Sequence, residues 1–262
     1  MKPLSVSFIG SGNVAWHLAP ALENVGYAVR EVFSRKEKHA AALAEKLYEC
    51  EVTTSLDLSE SSSRLFIIAV PDDAIAEVLS ELSLPAEAML VHTSGSSPLS
   101  LLEDSTAELT GVFYPLMTFT KGRRVDFSDI PFFIESDDET CRKVLSGLAK
   151  ALSSKVHQIS STKRQHLHAA AVFASNFTNH MMTISAGLLK NQELSFDVLK
   201  PLIAETINKS LEIGPEKGQT GPARRGDLEV LDRHLALLEE HEGIAEIYRV
   251  ISQHIIDYYE VE

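Results

Sequence analysis

The first part of the chain alternates short apolar runs with stretches of helical periodicity. Apolar runs typical of buried parallel strands lie at residues 6–9, 29–33, 50–53, 65–70, 89–92, 111–114, 131–134 and 156–159. Helical patterns fill several of the intervals, at residues 16–22, 36–49, 74–82 and 137–152. Strands separated by helices of this length predict an α/β fold with a doubly wound, mostly parallel sheet.

The pattern changes near residue 160. From there on, apolar residues recur every three or four positions, and the predicted helices cover residues 167–188, 200–213, 227–240 and 242–259. The chain therefore predicts two domains, an α/β domain at residues 1–160 and an all-helical domain at residues 161–262.

The glycine-rich turn after the first strand indicates a ligand. Residues 4–15 read LSVSFIGSGNVA, a strand followed by a G-x-G-x-x-A turn and a helix start. Gly10 permits the tight bend, Gly12 leaves room for a pyrophosphate, and Ala15 lets the helix pack close to the strand. Free N–H groups of the helix N-terminus then face the phosphates. We expect a Rossmann-type dinucleotide site formed by Gly10, Gly12, Asn13 and Val14. An ordinary structural turn is the alternative.

The end of the second strand indicates which dinucleotide is bound. NAD sites usually place an acidic residue there, whereas NADP sites place cations beside the 2′-phosphate. Here Ser34, Arg35 and Lys36 follow the strand, and Glu31 lies earlier, inside it. These residues favour NADP over NAD. A solvated Arg-Lys pair at a helix start is the alternative.

Two further segments follow predicted strands at the same sheet edge. Val70 and Pro71 end the most apolar run and are expected to form a wall of the cofactor site, whereas the next two aspartates are interpreted as structural. Ser94 follows the next strand and is a candidate for the nicotinamide or substrate side. An ordinary serine-rich turn explains it equally well.

Composition excludes some function classes. The net charge of −13 argues against a general nucleic-acid or anionic-membrane surface. Two distant cysteines, Cys50 and Cys141, indicate reduced thiols in a cytoplasmic protein. Met1–Pro3 leads directly into the first strand, so neither a signal peptide nor a membrane span is expected. The histidines form no metal-binding pair, and no metal site is expected.

These motifs together resemble the 6-phosphogluconate-dehydrogenase-like superfamily, which includes pyrroline-5-carboxylate and ketopantoate reductases. The resemblance lies in residues 10–15, 34–36, 67–75 and 92–95 and in a long helix after the sheet. A closer resemblance, over nearly the whole chain, is to a bacterial family of predicted NADP oxidoreductases. Its members pair a Rossmann-like domain with a C-terminal helical domain of unknown function, and the similar segments are residues 111–119, 168–176 and 220–227.

The resemblance implies catalytic residues on the long helix. The superfamily usually carries a Lys and an Asn there, one turn apart; Asn176 matches the Asn, but Val172 stands in place of the Lys. His168, eight residues before Asn176, is the available proton donor. A helix-packing or dimer-contact histidine is the alternative. Tyr114 is interpreted as a packed aromatic or a weak proton donor.

The helical domain contributes a stiff loop, residues 221–227. Arg225 could bind a substrate carboxylate or phosphate, and Asp227 could cap the next helix. A salt-bridged helix connection is the alternative. The resemblance also implies a homodimer formed through the helical domain.

The sequence therefore predicts an NADP-dependent oxidoreductase. It would transfer a hydride between the nicotinamide and a small anionic carbonyl or imine substrate held between the domains. Two alternatives remain open: an NADP-binding sensor or scaffold dimer without catalysis, and a redox protein that uses another electron carrier, such as a deazaflavin.

Overall fold

The computed structural model describes residues 4–260, excluding the side chain of Glu260. Met1–Pro3, where the sequence predicts direct entry into the first strand, lies outside the described residues. The chain divides into two compact units, Met1–Ser175 and Asn176–Glu262. Within residues 4–260, no helix has the length and apolar character needed to cross a membrane.

The first unit is built on one eight-stranded sheet. Its strands are β1 (Ser5–Ile9), β2 (Ala28–Phe33), β3 (Glu51–Thr53), β4 (Leu65–Ile68), β5 (Met89–His92), β6 (Leu109–Pro115), β7 (Phe132–Glu135) and β8 (Val156–Gln158). The strand order is β3-β2-β1-β4-β5-β6-β7-β8, and all neighbours are parallel except β6 and β7. The predicted doubly wound, mostly parallel fold is confirmed. The direction of winding reverses between β1 and β4, where such sheets form a ligand crevice at the carboxyl ends of their strands.

Five helices connect the strands or follow them in the first unit. They are α1 (Asn13–Asn24), α2 (Glu37–Ala44), α3 (Ile75–Glu81), α4 (Glu139–Leu152) and α5 (Ser161–Ala171). Successive strand residues face opposite cores: Phe8 packs in the cluster that includes residues of α1, α2 and α4, and Ile9 packs in the cluster that includes residues of α3. Because both sheet faces are covered, the central strands appear in the sequence as continuous apolar runs.

Some predicted helix bounds differ from the structure. Helix α2 ends at Ala44 rather than at residue 49, and irregular turns follow it. The long helix predicted over residues 167–188 contains a π-helical segment, Val172–Phe177, between α5 and the next helix. A π-helical turn contains more residues than an α-helical turn, so the spacing from His168 to Asn176 does not follow the α-helical repeat assumed from the sequence.

The first compact unit extends beyond the predicted domain boundary at residue 160. It includes α5, whose Arg164 side chain is fully buried and bonds to Glu135 and to the Ser94 carbonyl. Helical periodicity alone cannot tell on which neighbour a helix packs.

The described part of the second unit is helical. Its helices are α6 (Thr178–Lys190), α7 (Lys200–Ile213), α8 (Pro215–Gly218), α9 (Leu228–Leu237) and α10 (Glu242–Glu260). The short helix α8 was not predicted. A small buried cluster joins Ala223, Leu231 and Ile256. Many large apolar side chains remain exposed, including Leu211 at 81% and Leu237 at 80%.

Candidate functional site

The bend at Gly10 requires glycine for reasons internal to the protein. Gly10 has a φ of +117°, a value that L side chains rarely adopt. A Cβ at this position would lie 2.4 Å from the carbonyl oxygen of Ala69. The turn after β1 therefore lies directly against the chain that leaves β4, at the point where the winding reverses.

Gly12 differs, because the described residues do not require glycine there. Its φ of −71° is open to any residue, and a Cβ would lie 3.6 Å from the Ala69 carbonyl oxygen, an ordinary contact distance. Gly12 is the N-cap of α1, and no side chain caps this helix. The uncapped N–H groups and the free space beside Gly12 suit an anion that approaches the backbone.

A cavity of about 430 Å³ opens at this turn. It is lined by the glycine turn, the ends of β2 and β4, and helix α3, including the predicted cofactor residues Gly10, Gly12, Ser34, Arg35, Val70 and Pro71. Asn13, Val14 and Lys36 do not line it: the first two begin α1, and Lys36 is the N-cap of α2. Their cofactor contacts remain predictions.

At the end of the cavity beside β2, the arginine Arg35 lines the cavity, whereas Glu31, the acidic residue of β2, does not. Arg35 is exposed and forms no ion pair with any residue in the described range 4–260. Glu31 does not line the cavity, because its carboxylate accepts hydrogen bonds from the hydroxyls of Ser7 and Ser61. Two other carboxylates, Glu77 and Glu81 of α3, do line it.

Lys121 also lines the cavity, and sequence reasoning missed it. Its ammonium lies 4.6 Å from the centre of the Trp16 ring, and Lys46 lies 4.8 Å from the same ring without lining the cavity. A hydrogen bond of 3.0 Å between His17 Nε2 and the Thr120 carbonyl ties this loop to α1. The contact joins residues about a hundred positions apart in the sequence, so no local sequence pattern could have predicted it.

His168 and Tyr114 form a pair elsewhere in the first unit. The Tyr114 hydroxyl lies 2.9 Å from His168 Nδ1. Tyr114 is buried, and burial raises the pKa of its hydroxyl against the opposing effect of the Arg164 guanidinium. His168 is half-buried, and its Nε2 makes no hydrogen bond within residues 4–260. The sequence predicted His168 but did not predict its bond with Tyr114.

Both rings rest on the backbone of Gly95. A Cβ at Gly95 would lie 2.4 Å from His168 Nδ1 and 2.8 Å from Tyr114 Cζ. The preceding residue, Ser94, is buried, and its hydroxyl accepts bonds from the N–H groups of Ser96 and Ser97. The hydroxyl thus braces the loop, and the predicted substrate contact of Ser94 remains a prediction.

Arg164 bonds to the loop that follows β5, and it was not singled out in the sequence. Its guanidinium is fully buried, bonds to Glu135 at 3.0 Å, and donates to the Ser94 carbonyl at 2.8 Å. The signal that could have found it is weak: a single arginine on a predicted helix is normally solvated.

His92 is a second buried polar residue that contacts the loop after β5. Burial first, and then the nearby Arg164 guanidinium, lower the pKa of His92 from 6.5 to about 4, so the ring is neutral at pH 7. Its Nδ1 accepts the N–H of Ser94 at 3.2 Å. Its Nε2 is buried and has no hydrogen-bond partner among the described residues.

The second unit carries the remaining predicted site residues. Asn176 lies in the π-helical segment. Arg225 is exposed, forms no ion pair within the described range, and ends a short 3₁₀ helix followed by Gly226 in the left-handed conformation. Asp227 caps α9 by accepting from Val230 N–H, as predicted. Their contacts with a substrate remain predictions.

No group of three or more His, Cys, Asp or Glu side chains is arranged to hold a metal ion in the part of the chain that the structure describes.

Comparison with family models matches two segments of the chain. Residues 5–95 match the family described as NADP oxidoreductase, coenzyme F420-dependent, and residues 130–255 match the domain of unknown function DUF2520. A search of curated protein sequences gave no significant match.

Solved structures extend the comparison to the whole chain. The protein described as a putative NADP oxidoreductase from Bacteroides fragilis is 41% identical, with 98% of this chain and 99% of that chain covered and a TM-score of 0.90. Protein TM1727 from Thermotoga maritima is 24% identical, with 98% of each chain covered and a TM-score of 0.71. A reductive aminase from Aspergillus terreus in complex with NADPH and ethyl levulinate is 16% identical, with 97% and 92% covered and a TM-score of 0.73. The last two likenesses concern the fold alone.

Proposed function

The chain belongs to the family of the Bacteroides fragilis protein, in which a Rossmann-type NADP-oxidoreductase domain is joined to the helical domain DUF2520, and on this premise we propose that it is an NADP-dependent oxidoreductase. The proposed reaction is hydride transfer between the nicotinamide and a small anionic carbonyl or imine substrate. One observation carries the proposal: at the β2 end of the cavity, Arg35 forms no ion pair with any residue in the range 4–260, while Glu31 is bonded to Ser7 and Ser61.

In this proposal, NADP is held by residues that line the cavity and by three residues next to it, Asn13, Val14 and Lys36. The uncapped start of α1, with Gly12, Asn13 and Val14, binds the diphosphate. Ser34, Arg35 and Lys36 bind the 2′-phosphate, for which a guanidinium offers two parallel hydrogen bonds. Val70 and Pro71 form the wall beyond the diphosphate. When bound, the reduced cofactor supplies the hydride, and the protein residues supply orientation and the proton.

His168 supplies that proton in the proposed reaction. The Tyr114 hydroxyl bonds to Nδ1, which leaves Nε2 for the substrate. An imidazolium ring can give a proton near neutral pH to the oxygen or nitrogen that gains negative charge as the hydride arrives, and is left as neutral imidazole. This role replaces that of the lysine whose position is held by Val172.

The second unit supplies substrate contacts and the dimer in this proposal. Asn176 polarises the substrate, Arg225 binds its anionic group, and Ser94 of the first unit lies on the substrate side. A homodimer through the helical unit would cover the apolar side chains that α7, α9 and α10 leave exposed, such as Leu211, Leu237 and Val250. The unpaired cysteines fit a cytoplasmic enzyme.

The single tryptophan gives a direct test of cofactor binding. Trp16 lies in α1, close to the glycine turn, so bound NADPH should quench its emission by energy transfer. Titrations with NADPH and NADH should show tighter binding of NADPH. If neither cofactor changes the emission or the melting temperature at millimolar concentration, the cofactor proposal fails.

Turnover is tested with a substrate panel. Solved structures that share the fold carry the names imine reductase and reductive aminase, so cyclic imines and keto acids with ammonium come first in the panel. NADPH oxidation with one of these classes supports the reaction. Oxidation of a reduced deazaflavin by NADP⁺ would instead favour the other electron carrier.

One observation favours a second function. Val172 stands where related reductases carry a lysine, which suits an NADP-binding sensor without catalysis. Such a protein would bind NADPH, turn over no member of the panel, and keep every measurable function after His168→Ala substitution.

A further inference from the structure

Arg164 is a fully buried charge whose hydrogen bonds are made inside the protein. Its Nη2 lies 3.0 Å from Glu135 Oε2 and 3.2 Å from the Ser161 hydroxyl. Its Nε lies 3.3 Å from the same Glu135 oxygen. Its Nη1 donates to the Ser94 carbonyl at 2.8 Å. A planar guanidinium can satisfy these partners at once because its donors are fixed in a fork.

The partners of Arg164 come from separate parts of the first unit. Glu135 ends β7 and is paired in register with Val112 of β6, which is paired with His92 of β5. Ser94 belongs to the loop that follows β5. Arg164 itself belongs to α5, so this one side chain ties a helix, a loop and a strand end together.

The same helix carries His168, four residues after Arg164. Residues four apart lie on the same face of an α-helix, so both side chains face the loop after β5. Arg164 bonds to the carbonyl of Ser94, and the His168 ring rests on the next residue, Gly95. Arg164 therefore fixes both the helix that carries His168 and the loop on which its ring rests.

We infer that Arg164 is a positioning residue that holds His168 in hydrogen-bonding geometry with Tyr114. It acts through the Ser94–Gly95 backbone and through α5, and it does not touch substrate. Glu135 is its counter-ion and also accepts the N–H of Ser161 at the start of α5, at 2.5 Å. This inference rests on the proposed function, in which His168 exchanges the proton of the reaction.

Lysine cannot reproduce this arrangement. An ammonium keeps the charge but lacks the fork that reaches Glu135 and the Ser94 carbonyl together. In Arg164→Lys, Glu135 therefore keeps a counter-ion while the loop loses its bond. The variant should fold and bind NADPH within about twofold of the wild type, whereas turnover should fall by about tenfold to a hundredfold.

The decisive readout is the His168 ring itself, which needs no substrate. In ¹⁵N-labelled protein the imidazole nitrogens report which nitrogen carries the proton and whether Nδ1 is hydrogen-bonded. The signals are assigned with His168→Gln. When Tyr114→Phe is introduced into the wild-type protein, the Nδ1 signal of His168 should shift. When it is introduced into the Arg164→Lys variant, the signal should hardly change, because the His168 ring no longer bonds to Tyr114 in that variant.

Lys163→Met is the matched control. Lys163 is the exposed neighbour of Arg164 on α5, and its side chain makes no bond within the described residues. Its loss removes one positive charge from the same helix and should leave the His168 signals and the turnover unchanged. Glu135→Gln keeps the shape and removes the counter-charge, and it should shift the His168 signals in the same direction as Arg164→Lys.

Two outcomes would overturn the inference. If Arg164→Lys folds and keeps the wild-type His168 signals, their response to Tyr114→Phe and the pH profile of turnover, Arg164 does not position His168. If Arg164→Lys and Glu135→Gln both lose the folded state, Arg164 is a stability residue only. A wild-type protein that fails to bind NADPH would refute the proposed function, but the ring signals would still decide the positioning role.

Discussion

The cofactor cavity and the His168 cluster lie in the same unit but are built in opposite ways. Around the glycine turn the protein leaves groups unpaired: the first N–H groups of α1 have no side-chain cap, and Arg35 has no ion-pair partner within residues 4–260. The His168 cluster consists of His92, Tyr114, Glu135, Arg164 and His168. Two pairs of its side chains are bonded to each other: Tyr114 to His168, and Arg164 to Glu135. The cavity leaves donors available to a ligand, whereas the bonds of the cluster hold its own side chains in place.

This difference predicts how substitutions will behave. Substitutions in the cavity should alter cofactor affinity with little effect on folding, unless the new side chain clashes with the protein backbone. Changes in the cluster should alter stability or rate with little effect on cofactor affinity.

The two glycines of the turn should give the largest effects and separate folding from binding. In Gly10→Ala the new Cβ overlaps the Ala69 carbonyl oxygen at a φ of +117°, and the free energy of unfolding should fall by about 3 kcal/mol.

In Gly12→Ala the Cβ has an ordinary contact distance of 3.6 Å, so stability should change by less than about 1 kcal/mol. NADPH affinity of Gly12→Ala should nevertheless fall by about a hundredfold or more, because the methyl group occupies the diphosphate site. Urea unfolding and Trp16 titration measure these effects. Tight NADPH binding by Gly12→Ala would place the diphosphate elsewhere.

His92 should make the cluster sensitive to acid. Its pKa is about 4 in the folded protein and 6.5 as a free side chain, so the unfolded chain takes up the proton first as pH falls. The stability that neutral His92 contributes is full above pH 6.5 and is lost between pH 6.5 and 4, a loss of about 3 kcal/mol.

Urea unfolding at pH 7 and pH 4.5 checks this expectation, with His92→Asn as the comparison. The asparagine keeps an acceptor for Ser94 N–H but does not titrate, so its stability should depend less on pH in this window. If both proteins lose the same unfolding free energy between pH 7 and pH 4.5, His92 is not the group that causes the loss.

Arg35→Ala should weaken NADPH binding by about tenfold to a hundredfold, the loss expected for charge-assisted bonds to a phosphate. NADH binding should hardly change. Arg30→Ala is the matched control, because Arg30 lies on β2, five residues before Arg35, pairs with Glu49 at 3.7 Å and does not line the cavity. Equal losses for NADPH and NADH would place Arg35 away from the 2′-phosphate.

Tyr114→Phe should lower turnover by about tenfold and leave NADPH affinity unchanged, because it removes only the hydroxyl that bonds His168 Nδ1 at 2.9 Å. Stability should fall by about 1 kcal/mol. The exposed Tyr48 provides the control substitution Tyr48→Phe. An unchanged rate and pH profile would leave Tyr114 as a packing residue.

The smallest effect is expected at Lys121. Lys121→Met should weaken NADPH binding by about threefold at low salt, and the difference should disappear as salt screens the charge. Lys46 contacts the same Trp16 ring outside the cavity, so Lys46→Met should leave affinity unchanged. Equal effects of the two substitutions would point to the indole contact rather than to the cavity.

The fold and several residues that line the cavity at the glycine turn could be predicted from the sequence because their signals are local. Each strand is a short apolar run, and the turn at Gly10 and Gly12 lies within a few residues of its strand and helix. The cationic end at Ser34 and Arg35 immediately follows β2, so its place at the same edge follows from the parallel sheet. The resemblance to two-domain NADP oxidoreductases was confirmed for the same reason.

The His168 cluster could be predicted only in part. The sequence singled out His168, but it gave no reason to connect that residue with Tyr114, Gly95 or Arg164. These residues are tens of positions apart, and nothing in helical periodicity tells which face of α5 meets the sheet.

By itself, then, the sequence determined the order of strands and helices and the glycine turn, since neighbouring residues and the allowed backbone angles decide these features. Only the tertiary structure decided that Glu31 turns away from the cavity, that Lys121 reaches it, and that a buried Arg164 holds the loop under His168. The physical reason is that the hydrogen bonds and ion pairs of buried charges join distant segments, and such partners are selected by packing rather than by any pattern along the chain.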